Sequence, residues 1–110
     1  MARRKAVVDI AGEMARKIAR RFSPDRVILF GSHARGDATP ESDIDLLVIM
    51  DVTREARSEA RRAIRAELRS FRVPLDIVVA SPEEYAWRSQ VPGTIERPAM
   101  LEGRVLYVRS

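Results

Sequence analysis

Apolar residues at the start of the chain recur with the spacing of one face of an α-helix. They stand three or four positions apart, at Ala6, Val7, Ile10, Met14, Ile18 and Phe22. Because about 3.6 residues make one helical turn, this spacing predicts an amphipathic helix that buries one face. The pair Ser23-Pro24 is expected to end it, since proline cannot continue a helix.

Further along, short apolar runs rich in strand formers alternate with stretches of helical spacing. The runs predict strands at Val27–Phe30, Asp43–Met50, Leu75–Ala80 and Val105–Val108. The other stretches predict a helix over Thr53–Ser70 capped by Thr53, a helix starting at Ser81-Pro82, and a helical piece around Ile95–Leu101 ended by Gly103. This pattern is typical of an α/β or α+β fold, with helices packed on a β-sheet.

Length and composition exclude several classes of protein. The 110 residues suit a single compact domain, expected to cover residues 1–110. No stretch approaches the roughly 20 apolar residues of a membrane span, and the opening Met-Ala-Arg-Arg-Lys lacks the apolar segment of a signal peptide, so a cytoplasmic location is expected. Without cysteine and with His33 as its one histidine, the chain cannot form a disulfide or a zinc centre alone, whereas hard cations bound by carboxylates fit its composition.

The chain is basic, with a formal net charge of +4 and a sequence pI of about 10.3. Its basic residues are mostly arginines in the segments Arg3–Arg21 and Arg54–Arg72, where acidic residues are mixed in. Because no basic strand carries aromatic residues for base stacking, direct nucleic-acid binding is not favoured. Solvated helix faces are the simplest interpretation, and a basic surface for phosphates or for an acidic protein partner is the alternative.

Candidate chemistry begins after the first predicted strand, at Gly31-Ser32. Gly31 lets the backbone bend and approach a ligand closely, and Ser32 offers a hydroxyl and an N–H to phosphate oxygens. A helical turn over residues 33–36 would add free N–H groups and a partial positive charge. Gly-Ser is also a common plain turn, so it indicates a phosphate site only in combination with other residues.

Two carboxylates, those of Asp43 and Asp45, stand two positions apart in the next predicted strand. Strand residues two apart return to the same face about 6.6 Å further on, so both are expected to face one way. Like charges at this spacing repel each other, and Mg²⁺ is a natural counter-charge because it prefers oxygen ligands. Asp76, near the start of Leu75–Ala80, is a third candidate ligand. Solvated acids at a strand end, and a strand-start cap at Asp76, are the structural alternatives.

These motifs together resemble those of a known family. The matching segments are Gly31-Ser32, Ala34-Arg35-Gly36, Ser42-Asp43-Ile44-Asp45-Leu46, Leu75-Asp76-Ile77 and, near the end, Glu102-Gly103 before Val105-Leu106-Tyr107. Their order is similar over the whole length to the minimal nucleotidyltransferase (MNT) domain of the DNA polymerase β superfamily, the antitoxin of HEPN/MNT toxin–antitoxin modules. The resemblance implies the nucleotidyltransferase fold, with helices packed on a small mixed β-sheet.

The resemblance also implies a reaction and roles for these residues. An acceptor oxygen attacks the α-phosphate of ATP and pyrophosphate leaves, with two Mg²⁺ ions held by Asp43, Asp45 and Asp76. Gly31 and Ser32 cradle the β- and γ-phosphates of the nucleotide. The implied enzyme is a Mg²⁺-dependent nucleotidyltransferase.

Two further residues, Arg35 and His33, lie beside Gly31-Ser32. Arg35 either adds positive charge to the nucleotide site or pairs with Asp37 or Glu41 on the surface. His33 is expected to be an exposed loop residue rather than a catalytic base, since carboxylates and metal ions suffice for this chemistry.

By the same resemblance, the acceptor is a protein. The implied activity is adenylylation of a HEPN-type toxin, with which the chain would form a hetero-oligomer. Two hypotheses of other classes stay open. A catalytically silent, nucleotide-binding antitoxin would neutralise its partner by occlusion, and a nucleic-acid-binding module would use the arginines and lose affinity steeply as salt rises.

Overall fold

The structure of the protein is a computed structural model that describes residues 6–110. Its elements follow in the order α1 (Val7–Phe22), β1 (Arg26–Phe30), α2 (Ser32–Arg35), β2 (Ile44–Ile49), α3 (Arg57–Glu67), β3 (Leu75–Ala80), α4 (Pro82–Arg88), α5 (Glu96–Glu102) and β4 (Arg104–Val108). Met1 to Lys5 lie outside the described residues. They include the start of the first basic segment and the opening residues that were compared with a signal peptide. Over residues 6–110, no helix is both long and apolar enough to cross a membrane.

The strands of this part of the chain form one mixed sheet in the order β3-β2-β1-β4. β1 runs antiparallel to both β2 and β4, whereas β2 and β3 are parallel. Parallel neighbours need a crossover connection, and α3 provides it. The expected small mixed sheet with packed helices is confirmed, and β3 and β4 are its edges.

Helices cover both faces of the sheet, and the two central strands are buried between them. On one face, Leu46 of β2 packs in a core with Met14 of α1 and Ile64 of α3. On the opposite face, Leu47 packs in a second core with Ala99 of α5. Both leucines are fully buried, and each burial contributes roughly 1.5–3 kcal/mol. After Asp45, β2 is therefore a continuous apolar run, as expected of a strand buried on both faces.

Most predicted elements agree with the structure to within about a residue, but the helix predicted over Thr53–Ser70 is shorter at both ends, since α3 begins at Arg57 and ends at Glu67. β2 begins at Ile44, so Asp43 precedes the strand that was expected to contain it. α3 begins at Arg57, because Thr53 Oγ1 accepts the N–H of Ala56 at 3.2 Å and so closes a separate turn. The prediction that Thr53 caps this helix is therefore wrong.

The predicted start of α4 is confirmed in detail. Ser81 Oγ accepts the N–H of Glu84 at 3.1 Å, and Glu84 Oε1 accepts the N–H of Ser81 at 3.2 Å, which makes a capping box. Glu84 also accepts a hydrogen bond from Arg57, which ties α4 to the start of α3. Burial works against the ionisation of Glu84, but these bonds from Ser81 and Arg57 outweigh it and hold the pKa of Glu84 below its ordinary value.

Candidate active site

The parallel pairing of β2 and β3 brings two of the predicted acids side by side. Asp45 and Asp76 are direct register partners. Adjacent strands lie about 4.8 Å apart, and because side chains alternate, both acids occupy the face on which Leu47 and Val78 follow. This is the face that α4 and α5 cover further along the strands.

Asp43 lies one residue before β2 and is exposed, yet its charge acts on Asp45. The pKa of Asp45 is raised above its ordinary value, mainly by burial and then by the negative charges of Asp76 and Asp43. The positive charges of His33 and Arg35 work in the opposite direction. The two other predicted acids and two basic residues of α2 therefore all act on the half-buried carboxylate of Asp45.

This acid cluster, defined as Asp43, Asp45 and Asp76, has the chemistry of a site for a hard cation. Over residues 6–110, the three carboxylates form no hydrogen bond or ion pair, so their mutual repulsion is offset only at a distance, by the charges of His33 and Arg35. Carboxylate oxygens are the ligands that Mg²⁺ takes. In the same part of the chain, no three His, Asp or Glu side chains already stand as the ligands of one ion. The donor types fit Mg²⁺, and the side chains would have to turn to surround it.

Gly31 brings the turn after β1 directly against this cluster. Its backbone has φ 76° and ψ −157°, a region that is open essentially to glycine alone. A Cβ atom at Gly31 would collide with the carboxylate of Asp45. Glycine is therefore required at this position for two reasons, namely the backbone conformation and the short distance to Asp45.

The turn continues into the short helix α2, which confirms the helical turn expected near residues 33–36. The carbonyl oxygen of Gly31 accepts the N–H groups of Ala34 and Arg35, each at 3.1 Å. The preceding N–H groups, those of Ser32 and His33, form no hydrogen bond within the described chain. Free N–H groups beside a glycine bend are suited to oxygen atoms of a phosphate.

Arg35 takes the surface pairing that was one of its two expected roles. Its Nε lies 3.2 Å from a carboxylate oxygen of Asp37 and 3.8 Å from one of Glu102 at the end of α5. Asp37 was an expected partner, whereas Glu102 replaces Glu41, because the fold returns α5 to this end of the sheet. These pairs are exposed, and such contacts are weak enough for Arg35 to turn toward a bound anion.

His33 has a structural contact that the sequence did not indicate. Its Nε2 donates to the carbonyl oxygen of Ser42 at 3.2 Å, and the ring is half-buried. This bond joins α2 to the segment just before Asp43 and so holds the loop between the turn and the acids. The expectation of an exposed loop residue is therefore wrong, and a partner nine positions away is not visible from local pattern.

The mixed sheet, the glycine bend and the acid cluster together are features of one class of protein. Residues 12–100 match the family model described as "Nucleotidyltransferase domain". The chain therefore belongs to the nucleotidyltransferase domain family.

Individual proteins of known sequence or structure are also similar to this chain. MJ0604 from Methanocaldococcus jannaschii, which carries the provisional name protein adenylyltransferase, is 33% identical over 103 residues, covering 94% of this chain and 96% of its own. A crystal structure provisionally named as a nucleotidyltransferase, from Sulfolobus solfataricus, covers 99% of this chain and 93% of its own at 24% identity and a TM-score of 0.65. A crystal structure named as the toxin-antitoxin with AMP-PNP covers 88% of this chain and 73% of its own at 22% identity and a TM-score of 0.54. The two structural likenesses show that the fold is shared.

Proposed function

We propose that the chain is a Mg²⁺-dependent protein adenylyltransferase that transfers AMP from ATP to a HEPN-type toxin and so acts as its antitoxin. The observation that carries this proposal is the contact of Gly31 with Asp45, whose register partner is Asp76. Through this contact a turn suited to phosphates meets a cluster of acids suited to a divalent ion. Family membership supports the reaction type.

In the proposed reaction, the turn after β1 binds the nucleotide, and the acids in and beside β2 and β3 act on the reacting atoms. Gly31 and Ser32 hold the β- and γ-phosphates. Asp43, Asp45 and Asp76 would hold Mg²⁺, which when bound neutralises the triphosphate and the charge that develops in the transition state. The acceptor oxygen forms a bond to the α-phosphorus, the bond to pyrophosphate breaks, and the acceptor's proton passes to the carboxylate of Asp76.

The nature of the acceptor is inferred from similar proteins. The name of MJ0604 supports a protein acceptor. The toxin–antitoxin complex with a shared fold supports a toxin as that protein, and its AMP-PNP supports an adenine nucleotide. The HEPN class of the toxin is predicted from the family resemblance. The cytoplasmic location is predicted from the composition of the chain.

The proposal is tested by label transfer. The purified chain is incubated with ATP labelled at the α-phosphate, Mg²⁺ and a HEPN-type protein encoded beside it. We expect label on the partner with the wild-type chain and none with Asp43→Ala. Asp51→Ala is a matched control, because Asp51 is an exposed acid at the opposite end of β2. Equal labelling by the wild type and Asp43→Ala would refute the proposal.

A second candidate function is neutralisation by occlusion, without chemistry. It is favoured by one observation, the absence in residues 6–110 of three acidic or histidine side chains already placed as metal ligands. The test is a variant that changes Asp43, Asp45 and Asp76 together to alanine. Full suppression of the toxin by this variant would favour occlusion, and loss of suppression would favour adenylylation.

A further inference from the structure

A cleft with no role in the proposed reaction lies beside β3, on the far side of Asp76 from Gly31. It has a volume of about 370 Å³, with α3 on one side and α4 and α5 on the other. Ile77, Val78 and Val79, which follow Asp76 in the edge strand, line its floor. This β3 cleft therefore begins one residue from the acid cluster.

The walls of the β3 cleft carry more positive than negative charge. Four arginines and two glutamates line it, namely Arg54, Arg57, Arg61, Arg88, Glu84 and Glu96. Each glutamate is already engaged by one arginine. Arg57 donates to Glu84, and Arg88 Nε donates to the buried Glu96 at 3.0 Å. Two positive charges are left over.

The uncompensated charges belong to Arg54, in the turn before α3, and to Arg61, within α3. Both are exposed, and neither side chain has a hydrogen-bond or ionic partner within the described residues. Arg57, between them, adds a buried Nε without an acceptor. An unmade hydrogen bond of a buried donor is costly, so this wall is suited to a ligand that brings acceptor oxygens.

The floor of the cleft adds a second, independent feature. β3 is an edge strand with β2 on its inner side, and the outer N–H and C=O groups of an edge strand are a template for an added strand. Arg65 donates to the carbonyl oxygen of Leu75 at 3.2 Å and so covers the beginning of this edge. The stretch from Ile77 to Val79 faces the cleft.

We propose that the β3 cleft binds an extended, acidic segment of the protein that accepts the nucleotidyl group. The inference rests on the proposed function for the existence of a protein acceptor. The segment lies along Ile77–Val79, its carboxylates pair with Arg54 and Arg61, and the hydroxyl to be modified reaches Asp76 from the outer side of the sheet. The nucleotide occupies the opposite side, at Gly31.

A nucleic acid is a poorer occupant of the β3 cleft than an acidic peptide. Glu84 and Glu96 would repel a continuous phosphate backbone, whereas a peptide can place its acids against the arginines alone. The floor suits the alternating apolar side chains of an extended peptide, because Val78 offers a partly exposed apolar side chain between Ile77 and Val79, whose side chains are buried.

The first test measures peptide binding alone. A short fluorescein-labelled peptide of alternating Glu and Val is titrated with the full chain, without nucleotide or Mg²⁺, and followed by fluorescence anisotropy. We expect saturable binding that weakens about tenfold or more in the double variant Arg54→Ala/Arg61→Ala, because two charged contacts are lost. The double variant Arg62→Ala/Arg69→Ala loses the same charge from exposed positions outside the cleft and should bind within about twofold of the wild type.

Three results would overturn the proposal. They are no binding to the wild type, an equal loss in the two double variants, and tighter binding of a labelled single-stranded RNA than of the peptide. A Lys-Val peptide of equal length should not bind. Because nucleotide and Mg²⁺ are absent, this test reports on the cleft even if the chain transfers nothing.

The second test separates the cleft from the chemistry. In the label-transfer assay, Arg54→Ala/Arg61→Ala should raise the KM for the partner protein about tenfold while the thermal shift produced by ATP and Mg²⁺ stays that of the wild type. An unchanged KM for the partner, with Asp43→Ala inactive, would refute the cleft proposal alone. Labelling that persists in Asp43→Ala would refute the proposed function instead.

Discussion

At the scale of single residues, Gly31 brings the turn after β1 against the acid cluster. The sequence indicated that a glycine here gives conformational freedom, and the structure adds the near contact with the Asp45 carboxylate. That contact runs between neighbouring strands, so the order of residues in the chain does not disclose it. What could be predicted from the residues themselves was their chemistry, and what could not was their distance.

The first prediction compares two glycines of this turn. Gly31→Ala should abolish nucleotidyl transfer, since the added methyl group displaces Asp45 and the φ of 76° opposes a side chain. Gly36→Ala meets a similar conformational strain, at φ 88°, but a Cβ there meets no atom within 4 Å. It should cost about 1–2 kcal/mol of stability and retain transfer activity. Unfolding in urea and label transfer are the measurements, and an active Gly31→Ala variant would contradict the argument.

The second prediction is that Asp45→Asn makes the protein more stable at neutral pH. The folded pKa of Asp45 is raised, so its ionisation destabilises the native state, and stability falls as pH rises through that pKa. Removing the charge should therefore raise the Tm at pH 7, with a gain on the order of 0.5 kcal/mol, the size of a like-charge pair across strands.

The gain from Asp45→Asn should fade as the solution is acidified, because the wild-type carboxyl then becomes neutral as well. Asp51→Asn, at an exposed acid remote from the cluster, should show no such trend. Melting curves at several pH values provide the measurement. A Tm at pH 7 below that of the wild type would show that the repulsion within the acid cluster is unimportant.

At the scale of elements, local signals account for what was predicted well. β3 lies between Pro74 and the Ser81-Pro82 start of α4, and both of its bounds are those expected. The start of α3 was misplaced because a threonine that can cap a helix can equally close a turn, and the choice between them is made by packing. Local pattern thus gives the kind of element more reliably than its first residue.

The third prediction concerns the capping box of α4. Ser81→Ala removes the acceptor for the N–H of Glu84 and should lower the free energy of unfolding by about 1 kcal/mol. Ser70→Ala, in the exposed turn after α3, is the control and should change it by less than about 0.5 kcal/mol. Equal effects of the two substitutions in urea titrations would show that the capping box does not stabilise α4.

At the scale of the whole molecule, the candidate site is built from three strands and the turn between two of them. The shared direction of Asp43 and Asp45 was expected from the two-residue period of a strand. Asp76 was a candidate ligand from its place near the start of a strand, and the resemblance favoured that role over a strand-start cap. Its direct pairing with Asp45 could not be predicted from local pattern, because strand order and parallel register depend on how α3 packs against the sheet. The contacts of Arg35 with Glu102 and of Arg57 with Glu84 likewise join distant segments.

The fourth prediction follows from the distribution of the site residues over three strands of the sheet. AMP-PNP with Mg²⁺ should stabilise the protein as one unit, by about 2.7 kcal/mol when the free ligand exceeds its Kd hundredfold. The shift should be lost in Asp43→Ala and kept in Asp51→Ala. Thermal unfolding followed by circular dichroism checks this, and an equal shift in both variants would place nucleotide binding away from the acid cluster.

The crossover through α3 has a consequence for the protein during its synthesis. β1 and β2 can pair as soon as they leave the ribosome, but Asp76 joins Asp45 only after α3 has emerged and β3 has docked in parallel. A nascent chain therefore carries an incomplete set of acids. If the proposed transfer takes place at this cluster, a chain still on the ribosome cannot begin it before β3 has docked beside β2.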